Sequence, residues 1–202
     1  MLPDSASHGL PPSRLAYPNR RRRRVLITTS ATPPDHEHPQ RQNVLSFQTR
    51  RYVPGEEELL RQLFYNTIRN VNRRDYTLEQ VQTWAPDSID PEQWNSRIKT
   101  MNPFVCVTDE QIVGYAALLE SGYVDHFYVH HLWQSRGVGR ELMHAILDEA
   151  TNLDLNELTS DVSITARPFF ERYGFQVVTP QQVVKDGVVF DNFKMHRLLS
   201  EE

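Results

Sequence analysis

The chain has 202 residues, 39% apolar and 24% charged, with a formal net charge of −4. That length suits one domain with a tail, and its uninterrupted apolar runs fall far short of the roughly 18 residues that cross a bilayer, which leaves no helical membrane span to expect. The single cysteine, Cys106, has no partner for an internal disulfide and reads as a small buried hydrophobe on a strand.

Charge is uneven. Up to Asn43 there are seven arginines against Asp4, Asp35 and Glu37, a net of +4, so the rest of the chain carries −8. The same segment holds seven of the 13 prolines. This composition predicts a disordered Arg/Pro-rich tail over 1–43 ahead of one folded domain over 44–202. The Arg20 to Arg24 block reads as part of a solvated tail, and Asp35-His36-Glu37-His38 lacks the fixed geometry of a metal site. No apolar stretch follows the arginines as in a secretory signal; Arg-rich, acid-poor ends do occur in organelle transit peptides, and the default expectation is a cytoplasmic location. An acidic body favours a cationic small molecule or basic peptide as partner over nucleic acid.

Val44 to Tyr52 reads as a first strand, broken by Pro54-Gly55 ahead of three glutamates that suit the positive end of a helix. Leu59, Leu60, Leu63, Phe64, Ile68 and Val71 then recur at helical spacing. Thr77 with Gln80 forms a capping-box pattern, and Asp90-Pro91 opens another short helix bearing Trp94 and Ile98. Phe104 to Thr108 and Ile112 to Leu119 predict a hairpin across Asp109-Glu110, and Tyr123 to Val129 the next strand. A glycine-containing loop leads to a helix with Val138, Leu142, Ala145, Ile146 and Ala150 on its apolar face. A strand from Leu158 to Ser163, a helix from Thr165 to Tyr173 closed by Gly174, and strands at Phe175 to Val178 and Val188 to His196 complete the order.

The loop between strand and helix, Gln134-Ser135-Arg136-Gly137-Val138-Gly139-Arg140, is the most informative segment. A helix N-terminus offers unpaired amides and partial positive charge, and glycines let the chain close around a phosphate. A nucleotide P-loop requires Lys-Ser/Thr after its last glycine, where Arg140-Glu141 stands; a dinucleotide fingerprint requires a third glycine where Leu142 stands. What remains is Q/R-x-x-G-x-G/A, met by Gln134, Gly137 and Gly139.

With this loop, the element order and the segment Ala166-Arg167-Pro168-Phe169-Phe170-Glu171-Arg172-Tyr173-Gly174-Phe175, the chain from Val44 to Leu199 resembles the GNAT superfamily of acyl-coenzyme A N-acyltransferases. Asn72 to Thr77 followed by Trp84 is similar to the substrate-side segment of a bacterial subgroup. The resemblance implies an α/β (α+β) fold: a mixed, mostly antiparallel six- to seven-stranded sheet flanked by helices and splayed between the fourth and fifth strands. It implies transfer of an acetyl group from acetyl-CoA, by direct attack, to a primary amine of a small molecule or peptide. No metal is implied, nor nucleic acid or membrane, and the chain is expected as a monomer or homodimer. A non-catalytic acyl-CoA-binding module of the same fold is the alternative.

On this resemblance the cofactor-binding set is Phe127, Tyr128, Val129, Gln134, Ser135, Arg136, Gly137, Val138, Gly139 and Arg140. The loop amides would hold the pyrophosphate while pantetheine pairs with the strand ending at Val129. Ser135 stands where the family often has glycine. An alkylamine of pKa about 10.4 is almost wholly protonated at pH 7, so its proton must be removed. The two-residue strand period places Tyr123, Asp125, Phe127 and Val129 on one face and Val124, His126, Tyr128 and His130 on the other. Asp125 is the preferred acid-base residue, with Glu120 and His126 behind it. Adjacent His130 and His131 are expected to point apart, as in an extended segment. The family's usual tyrosine acid is replaced here by Phe170, which leaves Tyr173 as the nearest phenol, with helix packing as its competing role.

Overall fold

In the computed structural model residues 46–109 and 111–199 are described; the expected tail over 1–43 and the start of the first strand at Val44 lie outside them. Strands β1 (Gln48–Arg51), β2 (Phe104–Thr108), β3 (Gln111–Leu118) and β4 (Val124–Val129) pair antiparallel in that order. A second sheet runs β5 (Glu157–Ser163), β7 (Val188–Leu198), β6 (Gln176–Lys185), also antiparallel. The seven strands match the expected fold class. β6 runs past the expected end at Val178 to Lys185, turning at Asp186 and Gly187, both with positive φ.

Helices α1 (Glu57–Asn70), α2 (Leu78–Trp84), α3 (Pro91–Met101) and α4 (Val138–Asn152) start where their sequence signals place them, and α5 (Arg167–Arg172) starts two residues after the expected Thr165. Thr77 and Gln80 exchange both bonds of a capping box, and the Asp90 carboxylate accepts from the Glu92 and Gln93 amides. Two face assignments need correction. Leu59 is 52% exposed, because the buried stripe of α1 is Leu60, Leu63, Phe64, Thr67 and Ile68; on α4 the buried Met143 joins Leu142 and Ile146.

Two core clusters cover the two faces of the first sheet. Tyr115 and Ala117 face α1, α2 and α3 with Leu60, Phe64, Trp94 and Ile98, whereas Ala116 and Cys106 face α4 with Val138, Leu142 and Ile146. Gly114 is bare because α4 lies on it: a Cβ there would stand 2.7 Å from Val138 Cγ1 and 3.0 Å from Leu142 Cδ1.

The two sheets meet where β4 begins. Tyr123 and Thr159 form a parallel bridge, the Thr159 amide donates to the Gly122 carbonyl (2.9 Å), and Ser160 Oγ donates to the Val124 carbonyl (2.9 Å). Among the described residues the β4–β5 ladder stops there, so the expected splay between the fourth and fifth strands is present. Tyr76 bridges the structure further along, its hydroxyl donating to the Asp191 carbonyl (2.8 Å) and accepting from the Ile164 amide (3.0 Å).

β4 is not regular. Tyr115 faces Tyr128 but Ala117 faces Asp125, so β4 holds one residue more than β3 at this point, and His126 takes φ 49°. This bulge overturns the simple alternation. Asp125 pairs with Arg97 of α3 and His126 packs on Phe64 and Trp94, so both lie on the α3 side with Tyr128, away from Phe127 and Val129 in the α4-side core.

Candidate active site

The bulge and the splay together leave one edge of β4 open. The His130 amide donates to the Val113 carbonyl (2.9 Å), which fixes the ladder phase: Tyr128 and His130 bond toward β3, and Phe127 and Val129 turn their N–H and C=O groups outward. The Val129 carbonyl is already taken, by Thr67 Oγ1 (3.0 Å) and Gln134 Nε2 (2.6 Å). The glutamine of the signature therefore pins the loop to the strand end through its side chain.

From that anchor the loop turns through Ser135 (φ 60°) and Gly137 (φ 99°) into α4. No amide from Gln134 to Arg140 donates to another described residue, and the first intrahelical bond of α4 is Glu141 N–H to the Gly137 carbonyl. These seven consecutive amides, unpaired among the described residues at the start of a 15-residue helix, are the kind of donors that favour an anion. The two glycines differ in purpose. Gly137 adopts a backbone that L-residues avoid; at Gly139 a Cβ would stand 3.0 Å from Phe169 Cε2, so its bareness serves the approach of α5.

A cleft of about 900 Å³ runs from this loop along β4 into the splay. Of the cofactor set, Phe127, Tyr128, Val129, Gln134, Ser135, Gly137, Gly139 and Arg140 line it. Val138 instead points into the core at 1% exposure, and the Arg136 guanidinium lies 5.1 Å over the Trp133 ring, outside the lining. Arg140 is held by Glu141 (3.0 Å), so it must swing to reach a phosphate.

Asp125 and Tyr173 also line the cleft. The Asp125 carboxylate accepts from the His126 amide (2.8 Å) and pairs with Arg97 (3.3 Å), which leaves lone pairs free on both oxygens. Tyr173 caps α5, its ring 4.9 Å from that of Phe169. Phe170 is 2% exposed, packed on Phe127 and Phe175. Glu120 is exposed in the turn before β4 and lines no cavity described here.

A second cavity of about 730 Å³ adjoins the first, with Trp84, Asp125, His126, Tyr128 and Asp161 lining both. Neither Asp161 nor the neighbouring Arg97 and Lys185 is prominent in the sequence, because they come from β5, α3 and β6 and only the tertiary fold brings them together.

His126 sits in an aromatic box of Phe64, Trp94, Tyr115 and Tyr128. Its Nδ1 lies 3.0 Å from the Tyr115 hydroxyl, which has no other partner among the described residues. Donation from that hydroxyl to Nδ1 satisfies the buried hydroxyl and places the ring N–H on Nε2, which has no protein partner among the described residues. Burial pushes the imidazole from 6.5 down to about 4; the Asp125 carboxylate opposes the shift and the Arg97 cation adds to it. Between these values the unfolded chain binds a proton that the folded chain refuses. Stability from this group is complete above pH 6.5 and falls as pH drops toward 4. We expect thermal midpoints to decline across that window and His126→Phe to decline less steeply; equal slopes would assign the loss to other groups.

His130 and His131 do not point apart. A short 3-10 turn from His131 to Trp133 stacks the two rings with centroids 4.4 Å apart, and burial with the neighbouring His131 lowers the His130 pKa.

The profile described as Acetyltransferase (GNAT) domain matches residues 72–197. The chain is 34% identical over 150 residues to the uncharacterized N-acetyltransferase YafP of Escherichia coli (strain K12), covering 74% of this chain and 95% of that protein. A GCN5-related N-acetyltransferase structure from Rhodopseudomonas palustris superposes with a TM-score of 0.73 at 27% identity, covering 77% of this chain and 98% of the other. The fold is shared, at 18% identity and a TM-score of 0.58, by the yncA acetyltransferase of Salmonella typhimurium with its cofactor acetyl-CoA, over 78% of this chain and 96% of that one. A free-amide loop at a helix start, an open strand edge and these likenesses converge, and the chain belongs to the GNAT family of acyltransferases.

Proposed function

We propose that the protein transfers the acetyl group of acetyl-CoA directly to a primary amine held in the second cavity. The observation that carries this reading is the run of free amides from Gln134 to Arg140 opening into a cleft that follows the bare edge of β4. The amides and the α4 N-terminus receive the pyrophosphate, and the outward N–H groups of Phe127 and Val129 bond the pantetheine arm. The thioester then falls near the wall that the two cavities share.

There the amine nitrogen attacks the thioester carbonyl; a C–N bond forms and the C–S bond breaks. The ammonium proton goes to Asp125, directly or through a water, because His126 in its Nε2–H form has no free lone pair to accept it. The thiolate leaves and takes a proton from water or from Tyr173. Cys106 offers no resting place for the acetyl group. It is fully buried and burial raises its thiol to about 11, so no thiolate is available as nucleophile.

Calorimetric titration with acetyl-CoA and release of free CoA thiol over a panel of amines test the proposal together. Tight binding with no turnover on any amine would replace it with a non-catalytic acyl-CoA-binding role. For Tyr173 the geometry favours packing against Phe169. We expect Tyr173→Phe to lower kcat by less than the 10² to 10⁴ of a lost general acid; a fall of about 10³ with acetyl-CoA affinity retained would make Tyr173 the acid.

A further inference from the structure

The second cavity orders its charges. Asp125 and Asp161 stand on the wall shared with the donor cleft, whereas Arg97 and Lys185 line the second cavity alone. The space between them is walled by the rings of Phe64, Trp84, Trp94 and Tyr128. These walls are fixed: Trp94 Nε1 donates to the Glu57 carbonyl (2.8 Å), Phe64 packs 5.3 Å from Trp94, and Trp84 abuts Tyr76.

The two cations are not consumed by their neighbours. Among the described residues Lys185 Nζ makes one bond, to the Trp84 carbonyl (3.1 Å), and Arg97 touches Asp125 through a single nitrogen at 3.3 Å. Burial lowers the Lys185 pKa, the neighbouring Asp186 carboxylate opposes that shift, and Arg97 lies close enough to add to it. Two positive charges facing one partly apolar cavity repel a simple cationic amine and call for an anion. Carboxylates at the thioester side call for an ammonium group. Because Arg97 and Asp125 are adjacent, the two poles required of the ligand are adjacent as well.

We infer that the acceptor is a free aromatic α-amino acid, its ammonium on Asp125 and Asp161, its carboxylate on Arg97 and Lys185, and its ring between Trp84 and Trp94. The inference rests on the acetyl-transfer reading and narrows it to one substrate class. A peptide satisfies it poorly, since its amine and carboxylate are far apart. A diamine or polyamine would place a positive charge against Arg97 and Lys185.

The test compares phenylalanine with phenethylamine, phenylalaninamide and alanine as acceptors for the full chain at saturating acetyl-CoA, following thiol release, with calorimetric titration of each acceptor alongside. Phenylalanine is expected to exceed each of the other three in kcat/KM by at least about tenfold, the scale of one hydrogen bond to a charged group for the two that lack the carboxylate and of burying the ring for alanine. Lys185→Met should cut the phenylalanine-to-phenethylamine ratio about tenfold, and Lys185→Glu should reverse it, each with an unshifted melting temperature to show an intact fold. Phenethylamine or phenylalaninamide acetylated as well as phenylalanine would overturn the inference while leaving the acetyltransferase reading in place. Failure of phenylalanine both to bind and to react, with acetyl-CoA bound normally, would overturn it too. Failure to bind acetyl-CoA would instead defeat the reading beneath it, and the phenylalanine titration would still decide occupancy of the cavity.

Discussion

Gly137→Glu is expected to abolish acetyl-CoA binding, a loss of more than about 100-fold on the strength of several charge-assisted bonds. The residue sits at φ 99° at the N-cap of α4, in the middle of the seven free amides. A glutamate there brings a negative charge into the midst of those donors, and its own carboxylate would compete for them. Loss of the fold does not confuse the result. A Cβ at 137 meets nothing closer than Arg140 Nη2 and Phe47 Cε2, both at 3.7 Å, so the added cost is the left-handed backbone, about 1–2 kcal/mol. Gly137→Ala carries that same cost without the charge and should keep most of the affinity. Calorimetric titration of the three proteins decides the matter: an affinity unchanged in Gly137→Glu would remove the phosphate cradle from this loop.

Gly122→Ala should be the most damaging small substitution to the fold. Its φ is 81°, and a Cβ would stand 2.6 Å from the Glu157 carbonyl oxygen, a backbone atom that cannot rotate away. This is the seam where Thr159 bonds the Gly122 carbonyl and the two sheets join. Backbone strain and overpacking together predict a loss of about 2–4 kcal/mol, a fall in melting temperature of roughly 5–15 °C for a domain this size. Gly187, at the same φ of 81° but with nothing within 4 Å of its Cβ, supplies the comparison. Gly187→Ala should fall by only the backbone share. Equal melting curves for the two variants would mean that the seam yields without cost.

The outline of this molecule is readable from local pattern because most of its elements obey local rules. The capping box at Thr77, the Asp90-Pro91 start, the 3.6-residue stripe of α4 and the glycine after Tyr173 each depend on a few neighbouring residues. The signature loop is legible for the same reason, since the phosphate contacts proposed for it lie in its own backbone. The bulge at His126 is not. It is a count of residues against another strand, and nothing in Val-Asp-His-Phe-Tyr-Val reveals that β3 is one residue short opposite it. The side of the sheet on which Asp125 stands turned on that count. The extension of β6 was hidden by Pro180 and the glutamines around it, which break the apolar pattern of a strand held largely by pairing with β7. Arg97, Asp161 and Lys185 carry no local mark at all.

The place where β4 parts from β5 has a consequence for traffic through the protein. Under the proposed assignment the acyl donor lies along the strand from the loop side, and the acceptor comes through the adjoining aromatic cavity, so neither blocks the route of the other. Acetylated product and spent carrier can depart separately, in either sequence, and no large door has to swing for a cycle to finish. On that assignment a wedge between two sheets, joined at its apex through Gly122 and Ser160, would do by shape what other catalysts entrust to a moving flap.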